Sequence, residues 1–134
     1  MTILDKIIAF KKKEVAKIKA EVSLKKLIES PNFNREVFSL EKSLLDFNST
    51  GIIAEFKRQS PSKGIINDKV SIAEVTQGYL DANVVAQSIL TDLSFFGGSI
   101  ADLMEARVIN QEKPILRKDF IVDGFQIVEA KAIG

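Results

Sequence analysis

The sequence predicts an α/β fold assembled from βα units, with parallel strands joined by helices, and three observations carry that prediction. Apolar strand-like segments begin near residues 52, 84 and 114, each followed by a helical segment. A recurrence of about 30 residues is the length of a right-handed βαβ unit. Helix-start signals stand where such units need them: Ser71 with Glu74, Ser99 with Asp102, and Asp123 with Gln126. Each strand is apolar along its body and polar at its C-terminal tip, where Lys57, Thr91–Asp92 and Arg117-Lys118-Asp119 stand. Polar tips on parallel strands suit a closed (β/α)8 barrel, whose active sites lie at that end, better than an open three-stranded flavodoxin-like sheet.

Element by element, the chain opens on a helix over 3–22, with apolar positions at Leu4, Ile7, Ile8, Val15, Ile18 and Val22, lysines over most of the rest, and Thr2 with Asp5 as a capping box. A short helix over 24–29 stops at Ser30-Pro31, because the residue before proline avoids the helical region. Ser39 caps a third helix over 40–47. These helices precede the first strand, so the expected division is a helical extension over 1–49 and three βα units over 50–134. Strand 52–56 places Ile53, Glu55 and Lys57 on one face and Ile52, Ala54 and Phe56 on the other. A Ser-Pro-Ser-Lys-Gly loop follows, then a helix from Ser71 with Val70 and Val75 as a hydrophobic staple. Strand 84–90, a loop over 91–98 and a helix to about residue 110 make the second unit. Strand 114–118 and a helix from Asp123 to Gly134 make the third. Three units cannot close a barrel of eight, so the third strand is expected to be an open edge and the chain to self-associate as a dimer.

Composition excludes several classes of function. The chain has 134 residues, 46% hydrophobic and 28% charged, as expected for one soluble globular unit with a core. Nineteen basic residues against 18 acidic ones give a net charge of +1, so no global field draws the chain to nucleic acid or an anionic membrane. Eight lysines precede position 27 without an arginine among them, which reads as a solvated face rather than an RNA-binding arm. No membrane span or signal peptide is evident, and a cytoplasmic location is expected. The chain lacks both cysteine and histidine. Disulfides, thiolate chemistry, the usual zinc sites and histidine-based acid–base catalysis are therefore out of reach, and proton transfer falls to Lys, Glu or Asp.

Lys57, Lys118 and Glu55 are the residues placed to do it. Each cluster has a plainer reading: Glu55 and Lys57 as solvated charges on an edge strand, Arg117, Lys118 and Asp119 as a solvated charge cluster, and, around the second strand's loop and beyond, Phe95, Phe96 and Phe120 as core and Gly97-Gly98 as a turn. All three clusters nevertheless fall at C-terminal strand ends.

IIAEFKRQSPSKG, SILTDLSFFGGS and PILRKDFIVDGFQIVEAKAIG, in that order and spacing, resemble the indole-3-glycerol-phosphate synthase family around its first three strands. The resemblance covers the whole chain but about the first half of the family's usual length, so the chain is expected to be an N-terminal portion, inactive by itself. Gln59 stands where the family pattern has a small residue. The resemblance implies a (β/α)8 barrel with extra N-terminal helices. It also implies a carboxy-lyase of tryptophan biosynthesis that acts without cofactor or metal on a phosphorylated small molecule, 1-(2-carboxyphenylamino)-1-deoxyribulose 5-phosphate. By position it implies that Lys118 is the general acid, that Lys57 meets the substrate carboxylate, and that Glu55 binds substrate and tunes its neighbours. It further implies that Ser60, Pro61 and Ser62 form a mobile loop over the site and that Phe96 and Phe120 pack on the anthranilate ring. The related barrel phosphoribosylanthranilate isomerase uses a cysteine base, which this chain lacks. A non-catalytic, self-associating half-barrel is the alternative from another class.

Overall fold

The computed structural model describes residues 1–134. Helix α1 (Ile3–Glu21) begins at the expected capping box: the Thr2 hydroxyl accepts from the Asp5 amide at 3.1 Å, and the Asp5 carboxylate accepts from the Thr2 amide at 2.7 Å. Two amides that the helix itself cannot satisfy are thereby paired. Helices α2 (Leu24–Ile28) and α3 (Leu40–Leu45) are capped by Ser23 and Ser39. The third helix ends before residue 47 because Asp46 turns extended and its side chain accepts from the Asn48 amide at 2.9 Å, a local bond that competes with the helix.

Three parallel strands follow: β1 (Ile53–Phe56), then β4 (Ala86–Leu90) and β5 (Ile115–Lys118), with β4 in the centre. Between the first two lie a small antiparallel hairpin, β2 (Gln59–Ser60) with β3 (Gly64–Ile65), and helix α4 (Ile72–Asp81); between the last two lie α5 (Leu93–Phe96) and α6 (Ile100–Ile109). Helix α7 (Phe125–Ala132) ends the chain. Two βαβ crossovers in one parallel sheet are the pattern of a partial (β/α)8 barrel.

Gln87 identifies the helix-facing side of the sheet, since its Nε2 donates to Thr76 Oγ1 of α4 at 2.9 Å. By alternation and register, Ala54, Phe56, Ile89 and Arg117 share that side, while Ile53, Glu55, Ala86, Ser88, Leu90, Leu116 and Lys118 share the other. Phe56, Ile72, Val85, Ile89, Leu103 and Ala106 form the buried apolar core of the sheet and its helices.

The loop expected over 91–98 contains α5. Asp92 is buried, its Oδ2 caps the turn by accepting from the Phe95 amide at 2.8 Å, and Gly97, with φ of 65°, closes it in the left-handed conformation. The next residue passes so close to β4 that a Cβ on Gly98 would lie 2.0 Å from the Leu90 carbonyl oxygen. Helix α7 departs from expectation at its start. Gln126 Oε1 accepts from the Val122 and Asp123 amides at 2.7 and 3.1 Å, and Asp123 Oδ1 accepts from the Phe125 amide at 2.8 Å, so the helix begins at Phe125.

Contacts gather into two compact units rather than one: 36–119, which holds the sheet with α3, α4, α5 and α6, and 1–35 together with 120–134. The second unit forms because α7 packs with α1 and α2. Within it Lys19 pairs with Asp123 at 2.7 Å, Ser30 Oγ donates to the Ala132 carbonyl at 2.9 Å, and the Lys131 ammonium lies 5.4 Å from the Phe33 ring centroid. One lysine of α1 is not on a solvated face: Lys11 is buried between Ile7 and Val15, at i+4 from the first and i−4 from the second, and binds Glu14 at 2.5 Å. No helix is long and apolar enough to cross a membrane.

Candidate active site

Three expected residues converge on one face of the sheet. The register sets Glu55, Ser88 and Leu116 side by side, and Leu90 beside Lys118 two residues further along. Lys57 follows β1 by one residue and continues the Glu55 face. Neighbouring strands are about 4.8 Å apart, so the backbones carrying Lys57 and Lys118 flank Leu90 across roughly 10 Å. Glu55 Oε1 lies 3.5 Å from Lys57 Nζ, and both side chains are about one-third exposed, at 34% and 35%. Glu55 Oε2 accepts from the Ser88 hydroxyl at 2.9 Å. The backbone carbonyl of Glu55 accepts from Tyr79 Oη at 2.9 Å, and burial, then the Glu55 charge, push the Tyr79 phenol above its ordinary range.

The charge cluster expected at 117–119 is divided rather than solvated. Arg117 and Asp119 have side chains only 10% and 3% exposed and pair at 3.5 Å. Thr91 ties them together, its hydroxyl donating to Asp119 at 2.7 Å and accepting from Arg117 Nε at 3.2 Å. Lys118 between them is exposed, and its carbonyl accepts from the Thr91 amide at 3.0 Å. Alternation along the strand explains the division: odd positions face the packed side and Lys118 the open one. Lys118 thus stands on the open face between two neighbours whose side chains are paired.

The segment over 60–62 is the tip of the β2–β3 hairpin, where Ser60 Oγ accepts from the Lys63 amide at 3.2 Å and lies 3.4 Å from Ser62 Oγ; Pro61 and Ser62 are exposed. Arg58 anchors this hairpin. Its carbonyl accepts from the Ile66 and Asn67 amides at 2.8 and 3.1 Å, and its guanidinium grips both carboxylate oxygens of Asp102, the Nη2–Oδ1 bond being 2.9 Å. The bond to Asp102 raises the Arg58 pKa further, so the group stays charged. Asp102 therefore does not close a capping box with Ser99, although its amide donates to Ser99 Oγ at 3.0 Å. Gln59, the departure from the small residue of the family pattern, lays its side chain over Gly97, where a Cβ would meet Gln59 Cδ at 3.1 Å.

Phe96 is half-buried at the end of α5, in the unit that contains the sheet. Phe120 is half-buried in the other unit, with its carbonyl accepting from Gln126 Nε2 at 3.0 Å. No three Asp or Glu side chains are clustered so as to hold a metal ion. Sequence reasoning missed Ser88 and Arg58. The signal for Ser88 was a small polar residue on the same strand face as Ala86 and Leu90; Arg58 carried no signal, since its partner lies 44 positions away.

Residues 4–134 match the family described as indole-3-glycerol phosphate synthase. A protein of that name from Bacteroides thetaiotaomicron is 46% identical over 132 residues, which cover 98% of this chain and 50% of the relative. Others from Polynucleobacter asymbioticus and Burkholderia multivorans are each 40% identical, over 98% of this chain and 52% and 51% of their own lengths. The chain spans about half the length of the curated relatives it matches. On the match across nearly all of its residues, together with its sheet topology, the chain belongs to the indole-3-glycerol phosphate synthase family.

Proposed function

We propose that this chain supplies one half of an indole-3-glycerol-phosphate synthase site, acting in the cytoplasm on 1-(2-carboxyphenylamino)-1-deoxyribulose 5-phosphate. The observation that carries this reading is the placement of Glu55, Lys57 and Lys118 on one face at the C-terminal ends of two parallel strands, β1 and β5, that flank β4. Lys118 donates a proton to the ribulose carbonyl oxygen as the aromatic ring attacks, a role suited to an exposed ammonium. Lys57 holds the substrate carboxylate until it leaves as carbon dioxide, and Glu55 binds substrate and holds the Lys57 ammonium in place. Ser60, Pro61 and Ser62 cover the site from the hairpin tip, and Phe96 and Phe120 pack on the anthranilate ring. In this reading residues 1–49 are a helical extension and 50–134 the first three βα units. The substrate phosphate would be held by groups outside this set.

Supplying the second half of a relative tests it. The 134-residue chain alone should turn over little or no substrate, and mixing it with the complementary half of the Bacteroides relative should restore synthase activity. Full turnover by the chain alone, or none in a folded complex, would overturn the reading. One observation favours a second reading, a self-associating half-barrel: Ile53 and Leu116 on the open face are 41% and 42% exposed, and β1 and β5 each pair on one side only. Leu90, on the same face, is buried at 5% exposure, so the exposed apolar patch reduces to Ile53 and Leu116 on the outer strands.

A further inference from the structure

We propose that Ser88 is a positioning residue that divides the two oxygens of Glu55, holding one by hydrogen bond and leaving the other as a loose partner for Lys57. The inference rests on the reading of Glu55 and Lys57 as substrate-binding groups. Ser88 lies on the central strand, only 3% exposed, at a position where a barrel interior ordinarily takes a bulky apolar side chain. Its neighbours across the register are Glu55 on one side and Leu116 on the other, so Glu55 is the acceptor its hydroxyl meets. That bond, at 2.9 Å to Oε2, is of normal length, whereas Oε1 stays 3.5 Å from Lys57 Nζ, longer than a tight charge-assisted bond of about 2.8 Å. A carboxylate free to rotate would close that gap. Lys57 would then be neutralised by an internal partner and would have to exchange it for the carboxylate of the substrate. With Oε2 fixed on Ser88, the ammonium keeps a nearby counter-charge and still offers donors to an incoming carboxylate.

The isosteric pair Ser88→Thr and Ser88→Val separates hydroxyl from shape, read by side-chain Cε–Nζ correlation NMR of the lysines in the 134-residue chain. In the parent chain the Lys57 signal should stand apart from exposed lysines such as Lys12. Ser88→Thr should keep it there. Ser88→Val should move it in a direction opposite to that given by Glu55→Gln, because the first tightens the ion pair and the second abolishes it. Ser88→Ala gives the same comparison if the larger side chains unfold the chain. Identical Lys57 signals in folded Thr and Val variants, or a parent Lys57 signal that coincides with the exposed lysines, would overturn the proposal. In an assembly competent for synthase activity, Ser88→Val should also raise KM for the carboxylate substrate roughly tenfold with a smaller change in kcat. Absence of activity with all residues intact would instead count against the functional reading and leave the NMR comparison standing.

Discussion

Lys57 and Lys118 are both lysines near strand tips, yet their surroundings differ. Lys57 has a carboxylate 3.5 Å away and suits ground-state binding of an anion, whereas Lys118 is exposed between two buried, paired neighbours. In a synthase-competent assembly, Lys118→Ala should therefore lower kcat by about 100- to 10,000-fold, the range of a general acid, with little change in KM. Lys57→Ala should instead raise KM clearly. Steady-state kinetics distinguishes the two, and a Lys118→Ala enzyme that keeps most of its turnover at saturation would contradict the assignment. Gly98 is a residue-scale constraint of another kind. A methyl there would sit 2.0 Å from the Leu90 carbonyl oxygen, a backbone atom that cannot turn aside. Gly98→Ala should destabilise the chain by at least about 2 kcal/mol, read as a lowered denaturant midpoint.

Among the elements, α7 shows how a helix start can depend on a partner far away in sequence. Asp123 is held below its ordinary pKa first by Lys19 of α1 and then by the Phe125 amide. A carboxyl whose folded pKa is depressed stabilises the fold fully above its unfolded pKa and loses that contribution as pH falls through the folded value. The α1–α7 connection should thus be intact at neutral pH and weaken only in acid, below the normal carboxylate range. Carboxyl NMR titration checks this: Lys19→Ala should move the Asp123 midpoint upward, toward that of a free aspartate. No upward movement would mean that the Phe125 amide alone sets it. The hairpin is the other element of interest. It is fixed at its base by Arg58 on Asp102 and left exposed at its tip.

At the scale of the molecule, the sheet has one face covered by α4 and α6 and a second on which Ile53 and Leu116 stay exposed. Such a face with unpaired flanking edges favours association. The chain should be a dimer at micromolar concentration, and Leu116→Lys should shift it toward monomer, as light scattering would show. A compact monomer in the unsubstituted chain would rule this out. Joining 1–35 to 120–134 in one compact unit is the feature that least follows from the order of elements, because it unites the first helices with the last.

The βα recurrence, the capping boxes at Thr2 and Ser71, the strand cores, and the strand-end positions of Glu55, Lys57 and Lys118 are legible in the residues alone. Each of these is written in residues a few positions apart, where periodicity and caps act. Lys11 shows the limit: its spacing from Ile7 and Val15 marks a buried position, but its chemistry suggests water, and the Glu14 pairing helps to reconcile them. Tertiary structure alone decided that Asp102 serves Arg58 rather than its own helix, that Arg117 and Asp119 turn inward around Thr91 while Lys118 stays out, and that Ser88 meets Glu55. Those choices join groups tens of residues apart. A hydrogen bond between them exists only once strand register has brought donor and acceptor within 3 Å or so, and register is a property of the assembled sheet.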